Sequence, residues 1–194
     1  MEEQRRLSAG AVLRRVLSIA ALLSVLLFAT GATVSRTQYK RAEVVTFGEF
    51  LHARAMHYGI ADSVAFGVIR AESNWKVWAR GKAGEIGLMQ LCLPTAKVIT
   101  GNYRLTRKQL FDPFTNAELG LFYLANLRAK FHGNMKLALA AYNQGPGKVE
   151  RKLQAGTRVS MLYANLVLRH AAQARRAGYP VPVNITGTFI AGAI

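Results

Sequence analysis

From Val44 onward, apolar residues recur at the three- and four-residue spacing of amphipathic helices, and the alternation that would mark strands is weak. Thr46 followed by Glu49 has the form of a capping box, which predicts a helix through about Tyr58 closed by Gly59. Asp62 caps a second helix whose apolar face runs Val64, Ala65, Val68 and Ile69, and the next position on that face is Glu72. Pro94 and Thr95 open a short helix, and Thr106 with Gln109 opens another. Asp112-Pro113 starts a long one, from about Thr115 to Phe131, lined by Leu119, Phe122, Tyr123, Ala125, Asn126 and Leu127. Further helices are expected near Met135 to Tyr142 and from Val159 to about Arg176, with a shorter one between them that carries Pro146 in its first turn. The tail from Gly178, with Pro180, Pro182 and Gly187, has no helical period and is expected to pack loosely. The predicted fold is a compact all-α domain of about seven helices.

The first forty residues break this pattern. Arg5, Arg6, Arg14 and Arg15 are followed by a run from Val16 to Ser35 without a charge, the arrangement of an export signal. The uncharged run reaches the roughly 20 residues a bilayer requires, and the arginines would hold its start on the cytoplasmic side. Thr30-Gly31-Ala32 also offers small residues for cleavage after Ala32. Residues 1–35 therefore read as a signal peptide or signal anchor, 36–43 as a linker, 44–178 as the domain and 179–194 as the tail. The protein is expected outside the cytoplasm, anchored to the inner membrane by residues 16–35 or freed by cleavage near Ala32.

At 194 residues the chain holds one ordinary domain beyond that segment. Twenty-six Lys and Arg against ten Asp and Glu give a formal charge of +16, which favours an anionic partner. The basic residues are spread along the chain without a nucleic-acid-binding motif, and export separates them from cytoplasmic nucleic acid, so no nucleic-acid partner is expected. One cysteine, Cys92, excludes an internal disulfide, and its apolar neighbours mark a buried, inert thiol. His52, His57, His132 and His170 lack paired ligand spacing, and neither a metal nor a cofactor is expected.

Candidate chemistry centres on Glu72. An acid on the apolar face of a helix is desolvated, which raises its pKa and keeps a proton on it near neutral pH, the state that a leaving-group acid needs. Taken alone, a glutamate at a helix end would read as solvent-facing. The Gly87-Leu88-Met89-Gln90 turn downstream reverses that reading, because glycine lets backbone approach a ligand and Gln90 offers a donor and an acceptor. Ala141-Tyr142-Asn143-Gln144-Gly145-Pro146-Gly147 supplies an opposite wall, where Tyr142 brings a phenol and Asn143 orients a polar group. Taken separately, Tyr142 is also a plausible core aromatic and the glycines an ordinary interhelical turn. Glu85 is the sole second carboxylate by proximity, and its glycine-rich surroundings mark it as a solvated loop residue.

Over roughly Val44 to Arg169 these blocks resemble, in order and spacing, the lysozyme-like lytic transglycosylase domain of the soluble-lytic-transglycosylase and goose-type lysozyme group. The resemblance implies that Glu72 is the single catalytic acid/base and that Ser73, Met89, Gln90, Tyr142 and Asn143 bind substrate. Asp112-Pro113 with Asn116, Gly120, Tyr123 and Leu124 matches the structural helix. Gly81 departs from a usual serine, Cys92 from a usual methionine, and Val159 stands about where many members carry a further cleft glutamate. The implied reaction is cleavage of the bond between N-acetylmuramic acid and N-acetylglucosamine without water, leaving 1,6-anhydro ends. A hydrolytic muramidase and an inactive, peptidoglycan-binding or secretion-associated scaffold are the alternatives. Peptidoglycan glycan strands are the expected partner, with the inner membrane and a secretion or conjugation machinery of the cell envelope left open.

Overall fold

The computed structural model describes residues 46–179, together with Val181 and Ile185. The proposed signal or anchor and the linker lie outside these residues. Among the described residues there are eight helices: α1 (Phe47–His57), α2 (Asp62–Glu72), α3 (Leu93–Thr100), α4 (Arg107–Leu110), α5 (Pro113–Lys130), α6 (Met135–Gln144), α7 (Pro146–Gln154) and α8 (Leu162–Arg176). The extended pairing among them consists of isolated bridges, Arg80 with Ile86 and Ile86 with Leu91, so the domain is all-α as expected. None of the described helices is long and apolar enough to cross a membrane.

Local chemistry starts most of these helices. Thr46 and Glu49 cap α1 reciprocally, and Thr106 and Gln109 do the same for α4. Asp112 accepts from the Thr115 N–H at 2.7 Å at the head of α5, and Asn134 accepts from the Leu137 N–H at 3.1 Å at the head of α6. The expected cap of α2 is shifted by one position. Ala61 occupies the N-cap without a side-chain bond, and Asp62 is the first helical residue, where its charge still favours the positive end of the helix.

The face expected for α5 is corrected by its position in the centre of the domain. Asn116, Ala117, Glu118, Leu119, Gly120 and Leu121 are all buried, whereas Asn126 is exposed and Phe122, Tyr123 and Ala125 are half-buried. A helix covered on nearly every side has no single apolar stripe, and that is why periodicity misplaced its lining. The buried Glu118 accepts from Arg54 Nε and Nη2, and from the Tyr58 hydroxyl at 2.5 Å, which ties α5 to α1. Within the tail, Ile185 is buried in the main core, and the Tyr179 ring packs on Phe66 at 5.2 Å.

The core has two parts. The larger joins α1, α2, the middle of α5, α6 and α8. The smaller comprises Ile86, Leu91, Ala96, Leu105, Leu110, Phe111 and Leu119, and Tyr123 and Tyr142 pack against both. Helices α2 and α8 run antiparallel. Arg175 Nη2 donates to Ser63 Oγ at 3.2 Å near one end of the pair, and Tyr163 reaches Glu72 at the other. Midway, Gly67 lies against the α8 backbone, where a Cβ would stand 2.5 Å from the Val167 carbonyl oxygen and 3.1 Å from the Ala171 nitrogen. Gly67→Ala must therefore push the two helices apart and is expected to cost about 1–3 kcal/mol. Urea denaturation should register the loss, with helical content otherwise retained.

Candidate active site

Glu72 is the last residue of α2 because the chain turns sharply after it. Asn74 and Trp75 adopt left-handed backbone conformations (φ 50° and 65°), and the turn is held by burial of Trp75 against Phe66, with ring centroids 5.1 Å apart. The preceding turns of α2 bury Val64, Ala65, Val68 and Ile69 in the core, which carries Glu72 to the floor of a cleft of about 190 Å³. Glu85, Gln90, Tyr123, Tyr142 and Asn143 line the same cleft, and Leu91, Cys92, Thr95 and Gly145 complete it. It opens between residues of the two core clusters, beside the two tyrosines that touch both.

Burial pushes the Glu72 carboxyl up from 4.5 to about 7, and the nearby Glu85 charge adds to the rise. A hydrogen bond from the Tyr163 hydroxyl to Glu72 Oε1, 2.5 Å long, works in the opposite direction by favouring the ionised form. The balance leaves a group that can hold or release a proton near neutrality. Tyr142 and Tyr163 are themselves held well above the usual tyrosine range, first by burial and then by the Glu72 charge, so both remain O–H donors.

Tyr163 is not among the residues that the sequence motifs mark. Its signal was the i, i+4, i+8 series Tyr163, Val167, Ala171 on α8, the face on which Val167 and Ala171 are buried. From the Gly67 crossing, Glu72 lies five residues along α2 and Tyr163 four residues back along α8 from Val167, about 6–8 Å in each helix. The helix crossing thus brings the two side chains together across 91 residues of sequence.

The Gly-Leu-Met-Gln turn is anchored by Asn116, which is fully buried. Asn116 Oδ1 accepts from the Met89 N–H at 2.7 Å, and Asn116 Nδ2 donates to the carbonyls of Ile86 (2.9 Å) and Leu110 (2.8 Å). Gly87 has φ 79°, and a Cβ there would stand 2.5 Å from Asn116 Nδ2, so this position needs glycine both for its conformation and for its contact. Gln90 has φ 47° and donates from Nε2 to the Gly87 carbonyl at 2.8 Å. Its amide oxygen is left on the Gly81 and Glu85 side.

Gln90, Tyr142 and Asn143 therefore gather around Glu72, and two other candidates do not face the cleft. Ser73 is buried, with its hydroxyl donating to the Ile69 carbonyl at 3.1 Å. The Met89 side chain is fully buried against Gly120, and what it offers the site is its carbonyl, which accepts from the Tyr142 hydroxyl at 2.8 Å. Tyr142 is thus both a core aromatic, its ring tilted against that of Tyr123 with centroids 5.3 Å apart, and a cleft wall. Cys92 is half-buried on the cleft wall. Glu85 also differs from expectation, since it is half-buried and lines the cleft. No group of His, Cys, Asp and Glu among the described residues could hold a metal ion.

The Transglycosylase SLT domain matches residues 49–160, more than half of the chain. The chain belongs to this domain family. Among curated relatives, it is 34% identical over 110 residues to a putative soluble lytic murein transglycosylase of Haemophilus influenzae, covering 55% of this chain and 18% of that protein. It is 31% identical over 132 residues to membrane-bound lytic murein transglycosylase C of Histophilus somni, covering 59% and 36%. The chain thus spans well under half the length of these relatives. Among solved structures, an inactive mutant of lytic transglycosylase Slt from Pseudomonas aeruginosa superposes with a TM-score of 0.60 at 28% identity, over 81% of this chain and 30% of that one. The Escherichia coli 70 kDa soluble lytic transglycosylase gives 0.61 at 24% identity, over 74% and 27%, and shows the shared lysozyme-like fold.

The opposing influences on Glu72 make a directional prediction. In Tyr163→Phe the bond that favours the carboxylate is lost, so the titration midpoint of Glu72, followed by carboxyl ¹³C NMR, should move above its wild-type value. Folding carries the matching sign. With a midpoint of about 7 in the folded state against 4.5 for an ordinary glutamate, the native state holds the extra proton between these values. Native stability is therefore lost as pH rises through that window. Glu72→Gln should gain stability over wild type as pH rises from 4.5 to about 7, and the difference should close below it.

Proposed function

We propose that the domain is a peptidoglycan lytic transglycosylase that uses Glu72 first as acid and then as base. The observation that carries this reading is a single carboxyl poised near neutrality on the floor of a cleft built by the SLT domain. Glu72 gives its proton to the glycosidic oxygen between N-acetylmuramic acid and N-acetylglucosamine, and the C1–O bond breaks with its electron pair leaving on that oxygen. The positive charge developing at C1 is met by the substrate's own N-acetyl oxygen. The muramoyl 6-hydroxyl then attacks C1 while Glu72 takes back a proton, which yields a 1,6-anhydro end without consuming water. Gln90 and Asn143 are positioned to bind sugar hydroxyl and acetamido groups, and Tyr142 shapes the wall opposite the acid.

Support for peptidoglycan as the substrate comes from relatives named as lytic murein transglycosylases, and a solved neighbour at 25% identity and TM-score 0.61 is a soluble lytic transglycosylase in complex with bulgecin A. The uncharged run over residues 16–35, preceded by arginines, supports a periplasmic domain tethered to the inner membrane. The place of Glu85 in the cleft favours a second reading, hydrolysis by two carboxylates.

Incubation with purified sacculi and mass spectrometry of the released muropeptides tests the proposal. Wild type should release anhydro products, one water lighter than hydrolysed ones. Glu72→Gln should lower the rate about a thousandfold while leaving the circular-dichroism spectrum unchanged. Hydrolysed products from wild type would favour the two-carboxylate reading, and substantial turnover by Glu72→Gln would remove Glu72 from its role.

A further inference from the structure

The loop before the Gly-Leu-Met-Gln turn folds Glu85 back over Gly81. The Gly81 N–H donates to the Glu85 carbonyl at 3.0 Å, the Gly84 N–H donates to the Gly81 carbonyl at 3.2 Å, and the Ala83 N–H donates to Glu85 Oε2 at 2.9 Å. The carboxylate occupies the place a side chain at position 81 would take. A Cβ on Gly81 would stand 2.1 Å from Glu85 Oε2, 2.8 Å from its Cδ and 3.0 Å from Gln90 Oε1. Glycine at 81 and glutamate at 85 are therefore sterically matched, and the match directs the carboxylate into the cleft that holds Glu72. Glu72 and Glu85 are the only carboxyls among the described residues lining that cleft, and no lysine, arginine or histidine joins them. With the acid protonated before reaction, Glu85 is the formal negative charge that the wall presents to a cationic sugar ring.

We propose that Glu85, held over Gly81, is a second catalytic carboxylate of this cleft that stabilises the positive charge developing on the sugar ring as the glycosidic bond breaks. This rests on the glycan-cleaving reading above and adds to it a residue outside the one-carboxyl scheme. Its contribution is electrostatic: it forms no bond to C1 and takes no proton, so the anhydro product is unchanged. A fixed negative charge held by the loop lowers the barrier because it is already in place before the charge on the sugar appears. The same charge also supports the protonated form of Glu72, whose surroundings on the other elements are the Tyr142 and Tyr163 hydroxyls, with the Cys92 thiol also facing the Glu85 charge.

The test compares the full-length wild type with Glu85→Gln, Glu85→Asp, Gly81→Ser and Gly81→Ser/Glu85→Ala on purified glycan strands, with folding checked by circular dichroism. Glu85→Gln should lower kcat about tenfold or more while KM changes less than about threefold, and Glu85→Asp should recover part of the loss. Gly81→Ser should evict the carboxylate and lower kcat by a similar factor. Adding Glu85→Ala to it should bring little further loss, since both changes remove the same charge. Should Gly81→Ser fail to fold, the Gln and Asp variants still decide. A readout independent of turnover is the Glu72 titration, whose midpoint should fall in Glu85→Gln.

Wild-type activity with Glu85→Gln within about twofold of it would overturn the role of Glu85 and leave the proposed reaction standing. A switch of wild-type products to hydrolysed ends that is lost in Glu85→Gln would overturn charge stabilisation in favour of water activation. A wild type that releases no muropeptide would overturn the reaction itself, and the role of Glu85 with it.

Discussion

The close approach of α2 and α8 at Gly67 gives the cleft its chemistry. Without a side chain at that position, the backbone of α8 settles against α2, and the two helices then run antiparallel from Ser63 and Arg175 at one end to Glu72 and Tyr163 at the other. The arrangement buries the last turn of α2 on one side and leaves it open to the cleft on the other. Burial raises the Glu72 carboxyl, and the Tyr163 hydroxyl, delivered by the same crossing, limits the rise. A wider crossing would weaken both effects together, because each depends on how closely the two helix ends meet.

A second constraint holds the opposite wall. Asn116 lies in the part of α5 that is covered on every side, and its amide satisfies three backbone groups at once: one N–H and two carbonyls. Each of these bonds contributes only about 1 kcal/mol net, but a buried group left without its partner costs about 1–3 kcal/mol. The turn carrying Gln90 is thereby fixed to the central helix and does not depend on contacts with substrate for its shape. The Met89 side chain is consumed in this anchorage beneath Gly120, and its carbonyl holds the Tyr142 hydroxyl. A position that resembled a ligand-binding one is in this chain a brace for two that line the cleft.

The surroundings of the acid also bear on its cost to the fold. An ionised Glu72 is opposed by burial and by the Glu85 charge, so at neutral pH the native state carries a group that would be more comfortable unfolded. The core clusters on either side of the cleft, and the Arg54–Glu118–Tyr58 network between α1 and α5, provide the stability against which that strain is held. Glu118 is the buried member of this network and Arg54 the half-buried one, so removing Arg54 would leave a buried carboxylate without its charged partner.

The sequence by itself determined the helices and the place of Glu72 at the end of α2, because those features are local. The Thr46–Glu49 and Thr106–Gln109 boxes and the Asp112 cap act over three residues, and Glu72 follows its apolar face by one turn. Gln90, Tyr142 and Asn143 were legible because their glycine-bounded turns are contiguous in the chain. Tertiary structure alone decided the rest. Tyr163 meets Glu72 across 91 residues, through a helix crossing that no periodicity encodes. The lining of α5 could not be read from one stripe once the helix became central. Glu85, in a loop that resembled solvent-exposed sequence, was turned into the cleft by the absent side chain of Gly81, a steric fact that exists only after the loop has folded.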